Sequence, residues 1–146
     1  MSDRDDRMCV LLPCGDGQNW ALPQQCLAEI VTLQEAAECP PASISWRGLD
    51  IPVIDFGADG VEPWRDARTG AGLVAVLLGL EGLGQEYWAL AIRGEGLGVR
   101  RIRAQDCEDR PEEQRDYALA AFVLETVIYQ VPDLPSLQQQ VRTAAA

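Results

Sequence analysis

The chain contains no histidine and no lysine, and all 12 of its basic side chains are arginines. Without an imidazole there is no Ser-His-Asp or Cys-His nucleophile pair and no histidine metal ligand. Without a lysine amine there is no Schiff base, no Walker-A lysine and no kinase lysine. Long apolar runs are missing too, since no stretch approaches the roughly 20 uncharged residues that span a bilayer. The charged start, Met1-Ser-Asp-Arg-Asp-Asp-Arg7, does not read as a signal peptide. Cysteine is sparse and odd in number, five, and no two residues have C-x-x-C spacing. Neither a closed disulfide set nor a paired-ligand zinc site is therefore expected. Cys9 and Cys26 sit in apolar stretches and are expected as small buried hydrophobes. The expectation is a cytoplasmic protein in reducing surroundings, with no cofactor and no metal.

What is present is ordinary for a globular chain. Its 146 residues suit one compact domain or two small subdomains sharing a core. An apolar content of 47% with 24% charged residues argues against wholesale disorder. The net charge of -11 repels phosphate backbones and anionic lipid, which sets aside nucleic acid and direct membrane attachment and favours partners with basic patches. Carboxylates, thiols, hydroxyls and arginine remain for chemistry, so a binding module starts ahead of an enzyme.

Short apolar runs separated by turn residues predict β-structure. Met8–Pro13 and Asn19–Leu22 flank a Gly/Asp turn and predict a hairpin. Gln25–Leu33 predicts a short turn leading into a strand from about Ile30. Gln34–Ala42 reads as a loop. Ile44–Trp46 and Leu49–Phe56 read as strands about a tight turn at Gly48, with Pro52 placing its run at an edge or bulge. Asp59–Gly72 reads as a long exposed loop, a linker or a mobile element. Leu73–Leu78 and Tyr87–Ile92 predict a second hairpin across a glycine-rich connection, and Leu97–Arg103 a half-exposed strand. Asp106–Asp116 carries six acids and two arginines and reads as a solvated loop. Ala118–Val131 favours two strands around Glu125, and Pro135–Arg142 a short helix begun by its proline. Many short strands suggest small barrels rather than βαβ units.

Few residues offer chemistry. Gly94-Glu-Gly-Leu-Gly98 lacks dinucleotide spacing and reads as a turn. Asp50 and Asp55, five apart, point to opposite faces of a regular strand and form no acid–base pair alone. Arg100, Arg101 and Arg103 form a basic cluster with two readings, a contact for phosphate or an acidic peptide, or a charge-guarded strand edge. Trp20 and Trp88 are expected in the core. Trp46 and Arg47 at the Gly48 turn are either a partner contact, since both types are enriched at hot spots, or a ring over a subdomain join with Arg47 bonded to a neighbouring carboxylate or carbonyl.

Trp20-Ala-Leu-Pro, Leu27-Ala-Glu-Ile30, Pro41 and Arg47-Gly-Leu-Asp-Ile-Pro-Val-Ile-Asp-Phe56 occur in that order, and together they resemble the CheW-like adaptor family of bacterial chemosensory systems. The strongest piece is R-G-x-x-x-P-V-I-D. Leu83–Ile92 is similar to the family's central hairpin and Ala118–Leu137, more weakly, to its closing segment. The resemblance implies a mainly β fold of two small five-stranded SH3-like barrels sharing a core, with a short C-terminal helix. It also implies a non-enzymatic role, coupling a chemoreceptor's cytoplasmic tip to the regulatory domain of a two-component histidine kinase. Positions matching Arg47, Leu27 and Glu29 are implied at partner contacts, and the strand matching Leu73, Val74 and Val76 on the same side; Trp46 joins them from the hot-spot reading.

Departures from the family pattern are Arg93 in place of an acid, Ala42 or Ser43 in place of a glycine, and Ser45-Trp46 where the family often has N-L. The length resembles that of the free-standing adaptor, and the departures point to a divergent one, either of a non-flagellar array such as one controlling pili or an accessory adaptor that has lost one of the two contacts. The expected division is a flexible tail over 1–7, the CheW-like domain of two intertwined barrels over 8–142, and a second tail over 143–146. Two alternatives stand beside the adaptor: a small carboxylate-dependent enzyme, and a structural subunit of a larger complex.

Overall fold

A computed structural model describes residues 6–15, 18–58, 60–79, 87–94 and 96–138, with side chains from Arg7 onward. The described strands are β1 (Asp6–Gly15), β2 (Gln18–Pro23), β3 (Leu27–Leu33), β4 (Ser43–Trp46), β5 (Leu49–Ile54), β6 (Gly72–Leu78), β7 (Tyr87–Ala91), β8 (Gly98–Arg103), β9 (Glu108–Asp109), β10 (Ala118–Leu124) and β11 (Val127–Pro132). A short helix, α1, covers 134–138. The expected tail ends sooner than Arg7, because β1 already pairs with β8 from Asp6. The rest of that tail, the connection before Tyr87 and the end of the expected helix lie outside the described residues.

The strands form two curled sheets, one of six strands ordered β8-β1-β2-β11-β10-β9 and one of five ordered β3-β6-β7-β5-β4. The fold is thus mainly β, with two half-barrels and a short C-terminal helix. The two-residue β9 makes the first sheet six-stranded rather than five. The chain leaves the first sheet after β2, builds the whole second sheet and then returns, which intertwines the two barrels.

Side-chain alternation explains why the sheets meet. On β1 and β2, Val10, Leu12, Trp20 and Leu22 face a central layer, met from the second sheet by Ala75, Leu77, Trp88 and Leu90 and capped by Leu137 of α1. The alternate residues Leu11 and Ala21 turn inward to a first-barrel core with Ile102 and Leu124. On β6 and β7, Val74, Val76, Ala89 and Ala91 turn into a second-barrel core with Ile44, Trp46, Ile51 and Trp64. Both strands are therefore buried on two faces, which is why they read as continuous apolar runs. Cys14 is fully buried, whereas Cys9 and Cys26 are only half-buried, and all five cysteines are free.

The segment 60–71 is the mostly exposed loop expected, but it is anchored in the second barrel rather than a linker between units. Trp64 is buried in the second-barrel core and donates its Nε1–H to the Leu73 carbonyl at 2.8 Å. Its ring lies against Gly72, where any Cβ would overlap it. Pro52 lies as expected where one side of its strand is open: β5 pairs with β4 up to Pro52 and with β7 only from Val53, and since the Val53 N–H donates toward β4, to Ala42, the missing amide falls on the unpaired side.

Arg93 ties the sheets together at one end. It is 7% exposed. Its Nε and Nη2 donate to the two carboxylate oxygens of Asp55, both at 2.8 Å, and Nη1 donates to the Glu62 carbonyl at 2.8 Å. Its backbone N–H donates to Pro13 of β1 at 3.0 Å. The Asp55 hydrogen bonds, the largest influence, hold the guanidinium above its ordinary pKa. Removing one member of such a pair strands a charge. We predict that Asp55→Ala lowers unfolding free energy by about 3–5 kcal/mol, and that the double variant Asp55→Ala/Arg93→Met recovers part of it, both read by urea denaturation.

Tyr117 packs against the central layer through Trp20 and Phe56. Its hydroxyl accepts the Trp20 Nε1–H at 3.1 Å and donates to Gln18 Oε1. Burial, outweighing the Trp20 hydrogen bond, pushes its pKa from 10.0 up to about 12. The folded state thus keeps the phenol proton longer than the unfolded chain does. Its stabilising share is complete below the ordinary tyrosine pKa and is lost as pH rises through the folded value. Absorbance titration at alkaline pH should show a late-ionising phenol near 12 that Tyr117→Phe removes.

Candidate functional site

The β4–β5 hairpin turns in two residues, Arg47 and Gly48, at φ of 49° and 79°. Positive φ at both positions is the geometry that matches strand twist in a two-residue hairpin, and it normally selects Asn-Gly or Asp-Gly. Arg47 accepts that conformation with a long cationic side chain held outward, 68% exposed. Its Nη2 donates to Glu29 Oε1 at 3.4 Å, and its guanidinium carbon lies 4.7 Å from the centre of the Trp46 ring. Glu29 belongs to β3, where a register shift between Leu27 and Glu29 breaks the pairing with β6. β3 and β4 are the two ends of the five-stranded sheet, so the Arg47–Glu29 pair spans its open seam.

Beneath this pair the structure corrects the expected contact surface. Trp46 is 7% exposed and packs against Tyr87 at 5.0 Å, with its Nε1–H buried and without a hydrogen-bond partner. Val74 and Val76 are fully buried in the same core. These three are the floor of the site, because alternation turns them into the barrel. Leu27 and Leu73 are half-buried and pack on the central layer. Arg47 and Glu29 are therefore the polar groups that the surface presents, and the expected bond from Arg47 to a neighbouring carboxylate is observed.

Among the described residues, the carboxylates near them form no acid–base pair. Asp50 is exposed on β5, while Asp55 is committed to Arg93. A cavity of about 500 Å³ lies beside the 62–71 segment, lined in part by Glu62, Asp66, Thr69 and Ile92. Its rim groups are engaged in their own turn, with Asp66 Oδ1 accepting from the Arg68 N–H at 2.8 Å and Thr69 Oγ1 from the Ala71 N–H at 3.2 Å. Exposed Glu108 and Glu125 are held below the ordinary carboxylate range by Arg110 and Arg100, the direction opposite to a poised general acid. Among the described residues, no group of three metal-ligating side chains converges and no helix is long and apolar enough to cross a membrane.

Two intertwined half-barrels over one shared layer, with a polar turn on the second, define a CheW-like fold. The chain is similar to the crystal structure of scaffolding protein TtCheW from Thermoanaerobacter tengcongensis, with a TM-score of 0.61 and 15% identity, over 90% of this chain and 91% of that one. No protein-family model matches the sequence, and no curated protein does.

Sequence reasoning missed Trp64 and the Asp55–Arg93 pair. A tryptophan isolated in a Gly/Asp-rich segment was the available signal for the first. We predict that Arg47→Glu changes stability by less than about 1 kcal/mol, because the pair it breaks is exposed. Trp46→Ala should cost about 3–5 kcal/mol. Paired urea melts of the two variants separate the surface residue from its floor.

Proposed function

We propose that the protein is a non-catalytic adaptor that couples the cytoplasmic tip of a chemoreceptor to the regulatory domain of a two-component histidine kinase. The observation that carries the reading is Arg47, an exposed guanidinium fixed on a left-handed turn between Glu29 and the Trp46 ring, on a fold similar to that of a scaffolding protein. A rigid turn lowers the ordering cost of binding, and arginine suits bidentate pairing with a partner carboxylate. Leu27 and Leu73, half-buried against the central layer, are part of the proposed contact surface. The role places the protein in the cytoplasm.

The finer reading is service in a non-flagellar array, such as one controlling pili. Of the departures behind it, Ala42, Ser43 and Ser45 are exposed, whereas Trp46 and Arg93 are internal and do not alter the contact surface.

Calorimetric titration with a purified receptor tip and with a kinase regulatory domain tests the role. Both should bind, and Arg47→Glu should weaken at least one about tenfold or more while the melting temperature stays unchanged. A folded protein that binds neither overturns the adaptor reading. Intact binding by Arg47→Glu removes Arg47 from the contact.

A further inference from the structure

The clearest charge anomaly on this acidic chain lies far from Arg47 in sequence, on β8. Gly98-Val-Arg-Arg-Ile-Arg103 places three arginines in six residues of a protein with net charge -11. β8 is a terminal strand of the six-stranded sheet, paired with β1 alone among the described residues. Every second residue of such an edge turns its N–H and C=O outward.

The two faces of β8 differ. Ile102 enters the first-barrel core, and Arg100 makes two hydrogen bonds to Glu125 of the β10–β11 turn, at 2.5 and 3.1 Å. Val99, Arg101 and Arg103 share the other face and all are exposed, Val99 at 49%. Met8, directly opposite Arg101 on β1, extends that face with a second exposed apolar side chain. Open space surrounds the start of the strand, since a Cβ at Gly98 would meet nothing within 4 Å.

Pairing of β8 with a second copy of itself would set arginine against arginine, which is unfavourable across a ladder. The same charges favour an acidic strand. The geometry points to β8 as a docking edge for an extended acidic segment of a partner protein, added antiparallel as a further strand of the first sheet. Acids at alternate positions of that segment face Arg103 and Arg101, and an apolar residue two positions on meets Val99. Backbone bonding supplies attachment and the charged face supplies selection. The arrangement is independent of the Arg47 surface and would give the protein a second point of attachment.

The probe is a fluorescein-labelled hexapeptide, Thr-Glu-Thr-Glu-Thr-Val, titrated with the full chain at 0.15 M salt and read by anisotropy. Two N-methylated forms of it each block one alternate set of amides. Saturable binding is expected, lost on methylating one set and kept on methylating the other, because only one set faces β8. The variant Arg101→Glu/Arg103→Glu should weaken binding about tenfold or more. Arg101→Gln/Arg103→Gln serves if the reversal disturbs the melt.

Absence of saturable binding overturns the proposal. So does equal behaviour of the two methylated forms, or equal binding of Thr-Lys-Thr-Lys-Thr-Val. Displacement by an equimolar short oligothymidylate would make β8 a general polyanion site and would overturn it as well.

Discussion

Two sheets that share one apolar layer must have strands that are apolar on both faces, and β6 and β7 carry that constraint. Val74, Val76, Ala89 and Ala91 fill the second barrel, while Ala75, Leu77, Trp88 and Leu90 fill the layer between the barrels. Neither face can accept a polar residue without stranding it. Val10–Leu12 of β1 and Trp20–Leu22 of β2 share the constraint, whereas β4 and β8 can alternate, because each has one face on a core and the other nearer solvent. The constraint also explains the chain path. The strands bounding the shared layer on the other side, β1 and β2, precede β6 and β7 in sequence, and β8–β11 must then return to complete the first sheet. Barrel and layer are therefore not separable units, and truncation between them would expose a whole apolar face.

The layer ends where Arg93 begins, and the ending is electrostatic. Three separate segments converge on one residue: Asp55 after β5 and Glu62 in the long connection bond its guanidinium, and Pro13 near the end of β1 accepts its backbone N–H. Glycines make room for it. A Cβ at Gly57 would overlap the Cys14 carbonyl and the Arg93 side chain, and one at Gly15 would come within 3.0 Å of Arg93 Cβ. An ammonium could not replace this group, because its planar fork serves the Asp55 carboxylate with two donors and the Glu62 carbonyl with a third at once. The all-arginine composition thus has at least one structural consequence, since the buried cation must keep its charge with most of its hydration removed.

Much of the fold was legible in the sequence for local reasons. The β4–β5 hairpin follows from Gly48 and its flanking runs, the β10–β11 hairpin from β-branched residues about Glu125, and the doubly buried β6 and β7 from uninterrupted apolar stretches. What was not legible depended on partners distant in the chain. Asp55 and Arg93 are 38 residues apart, and nothing local marks them as a pair. Trp64 sits among glycines and charges that read as loop, and only the second-barrel cavity gives its ring a place. In the candidate site the exposure of each residue was only partly legible. Arg47 and Glu29 do meet, but Trp46, Val74 and Val76 face inward, because the phase of an alternating strand is fixed by its neighbours and not by its own composition.

The positive φ at Arg47 is not by itself a mark of function. Glu125 and Thr126 adopt φ of 50° and 74° at another two-residue hairpin, so the conformation is what such hairpins demand. The distinction lies in what each turn does with its charge. Glu125 is satisfied by two hydrogen bonds from Arg100. Arg47 keeps a single long contact to a Glu29 that is itself 45% exposed. An exposed pair of that kind contributes little and is exchanged at little cost. A partner carboxylate that approached Arg47 would bury it, and in the drier interface the same charge pairing would count for more. In the proposed role, the floor of Trp46, Val74 and Val76 would hold the turn in place during that exchange. The buried residues thus set the position of the guanidinium, and the weakness of its present bond leaves it available to a partner.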